Sequence, residues 1–278
     1  MSALPELSPE EKAKPYAKYY YREPAAPSPE LAAALKDARP MDPAKALPIQ
    51  RRNDLLDPGY FEVETGYCVM PDGSGYVSVL HPMPGVTPEM VRWWFAWLEL
   101  EHLRYKLWFP RDHYGVFISD EDRAVLTDPA VPLERKVRNP APKKIVRESI
   151  GAGSADIYID FMAPEDQGFD MQRFHAPNVA TTVGANVQVK EEGAGPDAPG
   201  SPIAMLHFIR EIPGGIEFRT RFWMGYQIVD KKPVLLLQPG QSVPEAVPAG
   251  LFEHCISEYA NLRVILPEIY REQGGMIP

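Results

Sequence analysis

The sequence predicts an α+β chain in which a curved antiparallel sheet wraps on one long C-terminal helix, with a partly helical arm in front. Three observations carry that prediction. Several segments after residue 58 alternate apolar and polar residues with a period of two, one central segment is apolar on nearly every side at helical spacing, and the last long segment is patterned as a helix. A sheet curved around a terminal helix leaves a cavity between them, and small ligands occupy such cavities.

Each element follows in chain order. Residues 1–57 mix prolines with short helical pieces such as Pro29–Lys36, which makes them an arm that packs over a main domain, residues 58–278. From Gly59 the stretches FEVETGYCV and GYVSVLH alternate around MPDGSG, whose Asp-Gly step favours a tight turn, so a hairpin is expected. Thr87-Pro88-Glu89 supplies a capping hydroxyl, a proline at the first helical position and an acid in the first turn. The helix it opens is expected to run to about Trp108 and to end before Pro110. Trp93, Trp94, Phe95, Trp97, Leu98, Tyr105, Leu107 and Trp108 leave it little polar surface, so it is buried, as plain core or as cavity lining.

Beyond Pro142, KKIVRESI puts Val146, Glu148 and Ile150 on one strand face, and IAMLHFIRE puts Ile203, Met205, His207 and Ile209 on one face. IEFRTRFWMGYQIV groups Ile216, Phe218, Thr220, Phe222, Met224, Tyr226 and Ile228, while Glu217, Arg219, Arg221 and Gln227 form an opposite, wet face. PVLLLQ adds a strand. Ala249–Glu272 closes the chain as a helix with a bend expected near Pro267.

A chain of 278 residues, 45% hydrophobic, can bury a sizeable core. Its net charge of -9, without long Lys or Arg runs, argues against nucleic acid or an anionic membrane surface as partner. The first twenty residues lack a signal-peptide core and no apolar stretch is long enough to span a bilayer, so a cytoplasmic location is expected. Cys68 and Cys255 are too few for a disulfide framework and read as reduced, buried, small hydrophobes.

The local pattern with chemical content is His254-Cys-Ile-Ser-Glu258 on the terminal helix. A spacing of four brings an imidazole nitrogen and a carboxylate oxygen to one face, where both can meet one ion; the bland alternative is a pair on a solvated face. Glu148 sits between Val146 and Ile150 on an apolar-facing strand side, where a carboxylate needs a cation, a partner or a raised pKa. Arg219 or Arg221 could be that partner. His113 follows the aromatic helix in a loop that reaches the cavity mouth or is simply exposed. Two His and two Glu suit zinc, with manganese or iron also allowed by ligand type.

The stretches DLLDPGYFEVETGYCVMPDGSGYV, MPGVTPEMVRWWFAWL, RYKLWFPRDH, IEFRTRFWMG and FEHCISEY resemble the diacetylphloroglucinol hydrolase family, which includes phloretin hydrolases; the likeness covers about residues 54–265. The resemblance implies a Bet v 1-like (START-like) cavity fold with a helical N-terminal part, zinc bound by two His and two Glu, and a homodimer. Carried over by motif, His113 of PRDH and the His254/Glu258 pair correspond to three metal ligands, and Glu148 is the fourth. Tyr105 of RYKLW matches a substrate-contacting tyrosine. His207 and Tyr226, on inward strand faces, are placed as the family's other cavity His and Tyr.

The implied reaction is zinc-dependent hydrolysis of the carbon–carbon bond between an acyl group and a polyphenolic ring, giving a carboxylic acid and the phenol. Ring hydroxyls let the departing electrons land on oxygen. Zinc can polarise the carbonyl, lower the pKa of a bound water, or both. His207 would manage a proton on the substrate or the leaving ring carbon, and Tyr105 and Tyr226 would hold phenolic oxygens. Two rivals stand beside this reading: a non-catalytic Bet v 1-like carrier of phenolic or polyketide ligands, and a zinc enzyme acting on a different ketone or ester. His81, His102 and His175 receive no role.

Overall fold

The computed structural model describes residues 4–37, 39–138, 144–151, 153–175 and 177–277. The arm contains α1 (Pro9–Lys12) and α2 (Pro29–Asp37), followed by 3-10 turns at Pro43–Lys45 and Ile49–Leu56. Leu7, Tyr16, Tyr19, Tyr20 and Leu31 are buried in the same core as the central tryptophans, so the arm is part of the packed body.

β1 (Gly66–Val69) and β2 (Gly75–Pro84) form the expected hairpin, with Val69 opposite Gly75. The turn is held by Asp72, whose carboxylate accepts from the Ser74 amide and hydroxyl, and by Gly73 at φ 83. α3 (Pro88–Trp97) starts under the Thr87 cap, whose hydroxyl accepts from the Met90 amide. It does not reach Trp108. A 3-10 turn at Leu98–Leu100 is followed by Glu101 in extended conformation, φ -150 and ψ 143, and then by α4 (His102–Lys106). The Glu101 carboxylate is fixed there by Tyr16 at 2.6 Å, Lys14 at 3.1 Å and Arg104 at 3.2 Å. These partners from the arm and from α4 fix the break that apolar periodicity alone conceals.

β3 (His113–Phe117) comes next, so His113 opens a strand and is buried, which removes the exposed-loop alternative. After α5 (Asp120–Thr127) and α6 (Leu133–Lys136), the chain makes β4 (Lys144–Ser149), β5 (Ser154–Met162), β6 (Thr181–Glu191), β7 (Ser201–Ile212) and β8 (Gly215–Met224). One antiparallel sheet results, in the order β1-β2-β8-β7-β6-β5-β4-β3. Gly225, at φ 96, ends the sheet strand; β9 (Tyr226–Val229) leaves to pair with β10 (Lys232–Leu235). The single long strand expected through Ile228 is thereby corrected.

The expected wet face of β8 is also corrected. Arg219 and Arg221 are 1% and 0% exposed, and Glu217 is buried. Both guanidiniums hydrogen-bond Glu64, at 2.6 Å for Arg219, and Glu217 takes Arg210 and the Tyr60 hydroxyl. The segment carrying Tyr60, Phe61 and Glu64 folds over this face and brings the counter-charge that burial requires. Further along the same outer face, Leu47, Leu55, Tyr76, Phe208 and Trp223 form a second apolar cluster.

α7 (Ala246–Glu272) packs against β1, β2 and α3 and runs unbroken through Pro267. Trp93, Trp94 and Trp97 are core between α3 and α7, while Phe95, Leu98 and Trp108 line the cavity, so each reading of the aromatic stripe holds for part of it. Cys68 and Cys255 are free and buried. Among the described residues no helix is long and apolar enough to cross a membrane.

Candidate metal centre and cavity

Three elements converge at one end of the cavity. α7 presents His254 and Glu258 one turn apart, β3 begins with His113, and β4 presents Glu148, directly paired with His113 across the ladder. The two imidazoles point Nε2 at Nε2, 3.4 Å apart. His113 Nε2 lies 3.2 Å from the Glu148 carboxylate and 3.4 Å from that of Glu258, and His254 Nε2 lies 3.6 Å from Glu258. Ligands arranged tetrahedrally at distances of about 2.0–2.1 Å are separated by about 3.4 Å, so the spacing of His113, His254 and Glu258 is one that could hold a metal ion. His113, His254 and Glu258 form the tight group, within 4.8 Å of one another. Glu148 adjoins it through His113, and the Tyr105 hydroxyl donates to its carboxylate.

The far nitrogen of each ring is also held. His254 Nδ1 sits 3.3 Å from the Asp112 carboxylate, and His113 Nδ1 sits 3.4 Å from the Tyr105 carbonyl. Protons placed on the two Nδ1 atoms leave both Nε2 lone pairs facing the centre. Burial pushes the Glu258 carboxyl up to about 8 and raises that of Glu148. Burial and the nearby His254 charge push His113 well down, whereas the carboxylates of Glu258, Asp112 and Glu148 overcome burial to raise His254 to about 9. The protein without a cation is thus left holding protons that a divalent ion would displace.

The cavity beyond is walled by apolar side chains, among them Phe95, Trp108, Val146, Phe161, Ile203 and Phe222. Tyr105 lines it with its ring stacked on His113 at 4.6 Å and 15°. His207 projects inward from β7 as expected, over the Phe95 ring, with Nδ1 3.1 Å from the Thr220 hydroxyl and the Tyr259 hydroxyl 3.1 Å from the ring nitrogens. Burial pushes it down to about 3, so it is a neutral imidazole near pH 7.

Tyr226 is not in the cavity. Gly225 reverses the parity of the strand, so Tyr226 joins the outer cluster with Trp223, donates to Asp72 at 2.6 Å and accepts from Gln50. Its expected inward strand face is corrected on that geometry. Sequence reasoning also missed Asp112, Tyr259, Glu99 and Lys144. Asp112 adjoins His113 in PRDH, and Lys144 shares the strand parity of Val146 and Glu148, so both carried a signal; Tyr259 and Glu99 sit in helical segments whose apolar character masked them.

A family model described as the DAPG hydrolase PhiG domain matches residues 47–271. The chain belongs to this family. Among curated relatives, the phloretin hydrolase of Eubacterium ramulus is 34% identical over 269 residues, covering 95% of this chain and 92% of that protein. The 2,4-diacetylphloroglucinol hydrolases of a Pseudomonas species and of Pseudomonas protegens are each 27% identical over 270 residues, covering 94% of this chain and 89% and 85% of theirs. The hydrolase class expected from the sequence is the class these DAPG hydrolase relatives carry in their names, and the match spans both the arm's last residues and the centre on α7.

Proposed function

We propose that this member of the DAPG hydrolase family hydrolyses the carbon–carbon bond between an acyl group and a polyphenolic ring, in an acylphloroglucinol or phloretin-like ketone, with zinc as cofactor. The observation that supports this reading is the close group of His113, His254 and Glu258, with Glu148 beside His113, at the end of an apolar cavity. His113, Glu148, His254 and Glu258 would hold the ion. Bound there, zinc supplies a Lewis acid for a ketone oxygen and lowers the pKa of water.

The chain's own residues do the rest. Phe95, Trp108 and Phe222 sandwich an aromatic ring and exclude bulk water, which strengthens every polar contact inside. Tyr105 is pinned against His113, with its hydroxyl at Glu148, where it can hold a substrate oxygen beside the centre. His207 is neutral and can take the hydrogen bond of a ring hydroxyl, with the Thr220 and Tyr259 hydroxyls holding its ring in place. In the net reaction, the oxygen of one water joins the acyl carbon and one of its hydrogens ends on the ring carbon.

The same reading takes the fold as Bet v 1-like, residues 1–57 as an arm on a catalytic domain of residues 58–278, and the enzyme as a cytoplasmic homodimer. Plasma mass spectrometry of wild type and His254→Ala, paired with an assay for acid release from acylphloroglucinols and phloretin, tests it. About one zinc per chain, lost in the variant together with turnover, is the expected result. Full turnover without zinc would sink the metal assignment, zinc without turnover would point to another ketone or an ester, and neither zinc nor turnover would favour the ligand carrier.

A further inference from the structure

The cavity has a second polar end. On β4 the inward positions are Lys144, Val146 and Glu148, so Lys144 stands four residues from the metal-centre carboxylate, about 13 Å along the strand. Between them the lining is apolar: Val146 is flanked across the ladder by Val116 and Ile157. Lys144 donates to Glu99, which comes from the 3-10 turn after α3, and the ammonium lies 4.9 Å from the centre of the Phe161 ring. Lys144 and Glu99 are 2% and 4% exposed, and both line the cavity.

A buried ion pair is expensive, and hydrophobic residues in its place are often as stabilising or more so, so its stability value does not explain it. Its position at a cavity wall does. Side by side, an ammonium and a carboxyl offer one donor and one acceptor, the complement of a hydroxyl group, which needs both. Burial raises the Glu99 carboxyl to about 7 despite Lys144, so it can also donate.

We propose that Glu99 and Lys144 form a recognition subsite for a phenolic hydroxyl at the far end of the substrate's acyl arm. The proposal rests on the hydrolase reading for its orientation: the ring to be released sits at the metal end, and the arm runs down the apolar stretch beside Val146. The preferred substrates are then two-ring ketones whose acyl arm ends in a hydroxyphenyl group. A short acetyl arm stops before reaching the pair.

The test compares phloretin with the same ketone lacking the hydroxyl on its acyl-side ring. Dissociation constants and kcat/KM are measured for wild type, Lys144→Met, and the neutral double variant Glu99→Gln/Lys144→Met, with zinc content recorded for each. Wild type is expected to favour phloretin by about 10–100-fold, and both variants to bring that ratio close to one while retaining zinc. The double variant carries the comparison if the single one, with Glu99 left alone, does not fold. No preference in wild type, or a preference that survives the substitutions, overturns the subsite. Failure of wild type to cleave either ketone would refute phloretin-like ketones as its substrates instead, and the binding ratio would still decide the subsite.

Discussion

At the scale of single residues, the centre depends on side chains that touch no substrate. Asp112 lies 3.3 Å from His254 Nδ1, and a proton held there would leave Nε2 to face a bound ion. Asp112→Asn is expected to weaken zinc binding about 10–100-fold in a competition with a chelator, and unchanged affinity would show that Asp112 plays no orienting part. His81 and His207 make a different prediction, one of pH. Burial pushes each down to about 3 from an ordinary value of 6.5, so the folded state holds them neutral. Stability from this source is present above the unfolded value and is lost as pH falls from about 6.5 toward 3, because the unfolded chain takes up protons first. His81 has an unpartnered Nε2, so His81→Leu should fold, and between pH 7 and pH 4 it should lose about 3 kcal/mol less stability than wild type in urea titrations. Equal losses would mean that His81 is protonated in the fold. The meeting of His254 and Glu258 with Glu148 was legible in the sequence because spacing of four on a helix and parity on a strand translate directly into a shared direction. Tyr226 was misread by that same parity, since one glycine with positive φ resets it.

At the scale of elements, what the sequence concealed is which distant segments bring the buried charges together. The alternation on β8 correctly separates two faces, but it cannot say whether the polar face meets water or another segment. It meets the segment around Glu64, whose carboxylate serves two buried guanidiniums. Glu64→Gln leaves Arg219 and Arg221 without an anion among their hydrogen-bonding partners and is expected to cost about 3–5 kcal/mol in urea unfolding, with much of the loss recovered when Arg219→Met is added. A loss under 1 kcal/mol would mean that the two arginines are hydrated after all. The helix break at Glu101 has the same origin. Its partners Lys14 and Tyr16 lie some eighty-five residues away in sequence, beyond the reach of any local pattern. The break also has a functional consequence, because it re-aims the chain so that Tyr105 stacks on His113 and Trp108 meets both His113 and Tyr259 edge-on.

At the scale of the whole molecule, the centre joins parts that the sheet keeps apart. α7 packs on the β1–β2 side, whereas His113 and Glu148 lie on β3 and β4 at the opposite edge. An ion held by both therefore ties the helix to the far edge and closes the wrap around the cavity. An ion that binds only the folded chain stabilises it by mass action, by about 4 kcal/mol when free zinc is a thousand times its dissociation constant. Removing the metal with a chelator should thus lower the melting temperature of wild type, and restoring zinc should recover it. His254→Ala and Glu258→Ala should melt at temperatures that respond far less to zinc, because each variant breaks the bridge from the α7 side. A zinc-dependent shift of full size in both variants would place the ion elsewhere and would separate the cavity from the chemistry assigned to it.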